Sequence, residues 1–141
     1  MTALSRIQEG KSKNLIDEVR AGDKEKKKRL PVVCFSGEFS SRADDALFEH
    51  SGFIVLDFDH VDVEATKTAL ATDDYVHSCW VSPSGDGIKA LVQITNTERH
   101  RDHFRALITY FSKQYALEVD ESGVNESRAC FESHDVDIII K

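Results

Sequence analysis

Asp57-Phe58-Asp59 ends the apolar run Phe53-Ile54-Val55-Leu56. On a strand, residues two apart face the same way, so Asp57 and Asp59 share a face while Phe58 points into the core. Two carboxylates side by side repel each other, and burial makes the repulsion worse. A divalent cation removes that cost, and hard oxygen ligands of this kind suit Mg²⁺ or Mn²⁺. The same letters also describe a strand running into an acidic turn.

A second group follows at Ser82-Pro83-Ser84-Gly85-Asp86-Gly87-Ile88-Lys89, between strand-like segments. A glycine-rich turn can present backbone N–H groups to an anion. Gly85 and Gly87 remove side chains that would block close approach. Ser82 and Ser84 add hydroxyls, and Lys89 adds a positive charge just past the turn. The bland alternative is a Gly-rich β-hairpin with a solvated lysine. Farther on stand Asp120 and Ser127-Arg128-Ala129-Cys130-Phe131. A third carboxylate and an arginine would complete a site for two metals and a triphosphate. Alternatively, Asp120 caps a turn and Arg128 pairs with a surface acid.

The order of these motifs resembles the archaeo-eukaryotic primase (primase–polymerase) superfamily. More narrowly it is similar to the branch labelled the VirE N-terminal or primase-polymerase-like domain of phages and mobile elements. The resemblance runs from Leu30-Pro31-Val32-Val33-Cys34-Phe35-Ser36-Gly37-Glu38-Phe39 through the segment His50 to His60. It continues over Tyr75 to Lys89 and ends near Ser133-His134-Asp135. It implies an α+β fold with an RRM-like core. It also implies that Asp57, Asp59 and Asp120 are catalytic metal ligands for Mg²⁺ or Mn²⁺, and that Ser82, Ser84, Gly85, Gly87, Lys89 and Arg128 hold the nucleotide. The implied reaction is two-metal transfer of a nucleotide to a 3′-hydroxyl in the replication of a phage or mobile element. Its partners would be nucleoside triphosphates, a single-stranded DNA template and a replicative helicase domain or protein. The sequence departs from the superfamily where Lys89 replaces a usual His, and where Val136 replaces a usual Pro after Asp135. Two other function classes fit the same residues. One is a non-catalytic nucleotide- or partner-binding or regulatory module on this fold; the other is a metal-dependent nuclease.

The bulk composition narrows the class. The chain has 141 residues, 40% hydrophobic and 30% charged, which fits one globular domain. The reading is a single domain with a helical, Lys-rich extension over 1–29 and a catalytic-type core over 30–135, the front part of a longer protein. No apolar run is long enough to span a membrane. No signal-peptide apolar region is evident at the start, so the expected location is the cytoplasm, the host's if the gene is phage-borne. Cys34, Cys79 and Cys130 are widely spaced, without a Cys-x-x-Cys pair, and are expected to pack in the core. The net charge of −7 argues against a general nucleic-acid binder. Positive charge is nonetheless concentrated in two blocks. One is Lys24, Lys26, Lys27, Lys28 and Arg29, and the other is Arg99, Arg101 and Arg105 with His100 and His103.

The elements that must position these residues follow from periodicity. A helix is expected over 4–20, a Lys-rich helical turn over 23–29, and a short strand over 32–35. A loop over 36–41 and a short helix over 44–50 come next, then the central strand 53–59. Asp62 is a plausible N-cap for a helix ending near 71. Strands 75–81 and 88–94 form a hairpin, and 98–115 is the clearest helix, with Phe104, Leu107, Ile108, Phe111 and Tyr115 on one stripe. A last strand is expected over 128–134. Together these give a largely antiparallel central sheet with helices packed on one face. The acidic pair and the glycine turn are expected to meet on the open face.

Overall fold

A computed structural model describes residues 2–141. In chain order the elements are α1 (Ala3–Glu9), α2 (Lys13–Arg20), a 3₁₀ turn (Lys24–Arg29), β1 (Val32–Val33), β2 (Gly37–Phe39), β3 (Leu47–His50) and β4 (Phe53–Phe58). Then come α3 (Val63–Ala71), β5 (Val76–Val81), β6 (Ile88–Gln93), α4 (His100–Tyr115), β7 (Cys130–Phe131) and β8 (Ile139–Ile140). The fold is α+β, and every strand pairing is antiparallel.

The central sheet has the order β4-β6-β5-β8. Strands β4 and β5, joined through α3, thus run parallel with β6 between them, a split β-α-β arrangement. Alternation along β4 sends Ile54, Leu56 and Phe58 to one face, where Ile88, Ala90 and Val92 of β6 join them. Leu70 of α3 and Phe104 and Phe111 of α4 close this face, and Phe58 and Phe111 meet edge to face with centroids 5.3 Å apart. Asp62 caps α3 as the sequence suggested, its carboxylate accepting from the Ala65 N–H at 3.1 Å.

The opposite face carries Val55, Trp80 and Leu91, and it is covered as well. Ile7 of α1 packs there with Cys130 and Ile138, so the face expected to be open is sealed except at the Asp57 end. One ion pair and one set of charged hydrogen bonds bolt the covering layer down. The buried Glu132 takes Arg6 at 2.6 Å and the Ser12 hydroxyl at 2.6 Å. The Arg20 guanidinium donates to the Ser82 carbonyl at 3.0 Å and to the His134 carbonyl at 2.9 Å.

Several expected elements differ. The single helix over 4–20 is two helices, because Gly10 ends α1 in the left-handed region (φ 73°). The loop and helix expected over 36–50 are instead the β2–β3 hairpin, with only Asp44–Ala46 turning as 3₁₀. The strand expected over 128–134 shrinks to β7, which pairs with β1 outside the central sheet. Strand β8, beside β5, had no counterpart among the expected elements. Among the described residues no helix is long and apolar enough to cross a membrane. The three cysteines are free, with Cys79 and Cys130 buried and Cys34 half-buried.

Candidate functional site

Asp57 and Lys89 are directly opposed on β4 and β6, so their side chains share a face. Lys89 Nζ donates to Asp57 Oδ1 at 2.5 Å. Arg128 reaches the other oxygen, its Nη2 2.9 Å from Asp57 Oδ2. Asp57 is buried, with 6% of its surface exposed, and its strand supplies no other charged neighbour on that face. Burial opposes ionisation of Asp57, but the Lys89 ammonium and the Arg128 guanidinium outweigh it and hold the carboxyl below the usual carboxylate range. Burial likewise works against the Arg128 charge, and the hydrogen bond to Asp57 more than restores it.

Arg128 is held in place from behind. Asp44 accepts from the Ser127 N–H at 3.0 Å and from its hydroxyl at 2.7 Å, fixing the residue before Arg128. Nothing in the sequence marked Asp44 for this, since its partner is far along the chain. Arg128 Nε is buried without a hydrogen-bond partner among the described residues, leaving the guanidinium an unused donor.

The turn after β5 closes one wall. Ser82 Oγ accepts from the Gly87 N–H at 3.2 Å and lies 3.2 Å from Ser84 Oγ, whose hydroxyl donates to Asp86 at 2.7 Å. Position 87 must be glycine, because a Cβ there would sit 2.8 Å from the Phe58 carbonyl oxygen. The expected phosphate cradle of backbone amides is only partly present. The Gly85 N–H is spent on the Ser82 carbonyl and the Gly87 N–H on the Ser82 hydroxyl. The glycines here shape the turn, and the side chains carry the charge.

Lys89, Arg128, Ser82 and Ser84 line one pocket of about 200 Å³, together with Asp59 and Lys27. Lys27 comes from the basic 3₁₀ turn and lies over the Phe131 ring, 5.8 Å from its centroid. Sequence reading named the basic block without singling out Lys27, because composition does not say which lysine turns inward. Cys130 also lines the pocket, but burial pushes its thiol up to about 11, which disfavours the reactive thiolate. Larger clefts of about 340 and 570 Å³ open around Tyr75 and Ile94, and neither shares a lining residue with this pocket.

The three carboxylates expected to share metals are placed differently from one another. Asp59 lies beyond the end of β4 and is exposed. Asp120 caps a 3₁₀ turn, accepting from the Ser122 N–H at 3.0 Å and its hydroxyl at 2.8 Å, with its other oxygen 3.8 Å from Arg128. Its backbone N–H donates to the Asp57 carbonyl at 2.9 Å, which brings the two residues side by side. Among the described residues no group of three or more His, Cys, Asp or Glu is placed to hold a metal ion. With both oxygens of Asp57 engaged by cations, this arrangement does not fit a divalent-cation centre. His60 turns away from the pair in the left-handed region (φ 53°) and binds Asp86 at 2.7 Å.

A family model described as "BT4734-like, N-terminal domain" matches residues 25–139. The chain belongs to this family. The match contains every pocket residue named above and begins after α2. Helix α1, which helps seal the second sheet face, and α2 therefore precede the BT4734-like match, although Ile7 and Ile16 are buried completely or nearly so. No curated protein and no solved structure matches the chain.

Proposed function

We propose that this BT4734-like domain is a nucleotide-binding module of the primase–polymerase type, serving replication of a phage or mobile element. Its pocket takes the phosphates of a nucleoside triphosphate. The observation that carries this is the convergence of Lys89, Arg128 and Lys27 with two serine hydroxyls in one pocket. Three cations around a small concave site supply what a triphosphate needs, and arginine adds a planar fork suited to phosphate oxygens. Asp57 accepts from both Lys89 and Arg128 and so fixes where the two cations point. The split β-α-β order, with β6 between β4 and β5, is compatible with the RRM-like core that the primase resemblance implies.

The chemistry that the primase resemblance implies for such a domain is nucleotide transfer to a 3′-hydroxyl. Because the carboxylates do not fit a metal centre as they stand, the residues are assigned only binding and orientation here. Lys89 and Arg128 hold phosphate oxygens, and Ser82 and Ser84 fix the turn beside them. A second reading, binding without transfer, is favoured by the double engagement of Asp57.

The test is titration of a labelled deoxynucleoside triphosphate with Mn²⁺ and, separately, with chelator, into wild type and Lys89→Ala/Arg128→Ala. Binding that disappears in the variant supports the pocket, and unchanged binding removes it. Primer extension with Mn²⁺ then separates a polymerase from a binding module.

A further inference from the structure

The two basic blocks of the sequence are not equivalent once folded. Around the start of α4 the positive charge is spent: Arg99, just before the helix, pairs with Asp102 at 3.0 Å, Arg105 with Asp102 at 3.6 Å, and Arg101 with Asp44 at 2.8 Å and Glu126 at 3.3 Å. In the 3₁₀ turn Lys24–Arg29, Lys26 pairs with Glu18 at 3.1 Å and Lys28 with Glu25 at 3.2 Å. Lys24, Lys27 and Arg29 make no ion pair among the described residues. Lys24 and Arg29 are exposed, and Lys27 leans into the nucleotide pocket across Phe131. Arg29 lines a second cleft of about 470 Å³ on the α2 side, shared with Lys11, Lys13 and Arg6.

We infer that the turn Lys24–Arg29 is a docking ridge for the phosphate backbone of a single-stranded nucleic acid, which it leads to the pocket through Lys27. The partner follows from charge. On a chain of net charge −7, three uncompensated cations on one short turn form a local exception. A flexible polyanion can follow such a ridge with one phosphate per cation, releasing counterions as it binds. A compact anion has no use for cations on both sides of a turn. Lys27 joins ridge and pocket, so a strand lying on the ridge ends beside whatever the pocket holds. This last step rests on reading the pocket as a nucleotide site; the ridge itself does not.

The experiment uses the full chain, a fluorescein-labelled oligo(dT) and anisotropy across a salt series. Lys24→Ala/Arg29→Ala removes two ridge cations and leaves Lys27 and the pocket residues in place. Both side chains are exposed, so folding is expected to survive, and circular dichroism checks it. The variant is expected to bind the oligonucleotide about tenfold more weakly at low salt, with a salt slope shallower by about 1.4, from about 0.7 per lost contact on single strands. Its triphosphate affinity should match wild type. Arg99→Ala/Arg105→Ala should bind the oligonucleotide as wild type does. Equal oligonucleotide binding by wild type and the ridge variant overturns the inference, as does a loss confined to the α4 variant. If wild type binds no triphosphate but the ridge variant still loses the oligonucleotide, the ridge stands and the pocket reading falls.

Discussion

The Lys89 ammonium lies 2.5 Å from the Asp57 carboxylate because the two residues face each other across β6 and β4, register partners whose side chains emerge on one face of the sheet. Arg128 closes the arrangement from a loop far along the chain. A buried carboxylate with two cations costs little while all three are present and much when one is removed.

Asp57→Asn therefore strands two cations in a largely buried place. The expected loss of stability is about 3 kcal/mol at neutral pH, read by urea denaturation. The pH dependence follows from the lowered Asp57 value. A carboxyl whose folded value lies below its unfolded one, near 4, stabilises above that range and loses the contribution as pH falls through the folded value. The stability gap between wild type and Asp57→Asn should thus be widest at neutral pH and close on acidification below about pH 4. A gap that stays constant down to strong acid would refute the ion-pair account.

Gly87→Ala pushes a methyl against the Phe58 carbonyl, where 2.8 Å leaves no room. Prising β4 from the turn is expected to cost about 1–3 kcal/mol. It should also weaken triphosphate binding, since Ser82 and Lys89 flank the same turn. Calorimetric unfolding together with nucleotide titration measures both effects. A variant as stable as wild type would mean the turn relaxes freely.

Asp73 is buried at the opposite end of the sheet and accepts from the Tyr110 hydroxyl at 2.6 Å, from the Tyr115 hydroxyl, and from the Tyr75 N–H at 2.8 Å. The hydrogen bond to Asp73 raises the Tyr110 phenol above the ordinary tyrosine range. For Tyr115, burial comes first and Asp73 second. In Asp73→Asn both phenols should ionise nearer the ordinary range, visible by ultraviolet titration. Stability should drop by about 1–3 kcal/mol from the mispaired buried groups. Unmoved tyrosine titration would show that Asp73 is not their partner.

Periodicity read along one strand or helix was reliable wherever an element buried one clean face. Strand β4, the β5–β6 hairpin, α4 and the Asp62 cap all declare themselves that way. The β2–β3 hairpin did not, because its strands are three and four residues long and Asp44-Asp45 imitates the acidic start of a helix. The split of the first helix was written in Gly10, but a lone glycine inside an apolar pattern is a weak stop signal. At the site, the sequence named Asp57, Lys89 and Arg128 as members. It assigned Asp57 to a metal because a carboxylate's partner cannot be read from its own neighbours; only the β4–β6 register and the Asp44–Ser127 anchor bring the cations to it. Lys27 was hidden among four other cations.

The clasp between residues near the start of the chain and those past 130 has a bearing on how the domain is born. Arg6 grips Glu132, Arg20 grips the His134 carbonyl, and the Asp135 N–H donates to the Ile7 carbonyl at 3.2 Å. Helix α1 thus waits on residues more than a hundred positions downstream before its apolar side has a seat. Such long-range closures slow folding. On the ribosome the Trp80 side of the sheet lacks part of its cover until Cys130 and Ile138 emerge. A nascent chain halted before Glu132 is then a half-covered sheet, and a natural client for chaperones.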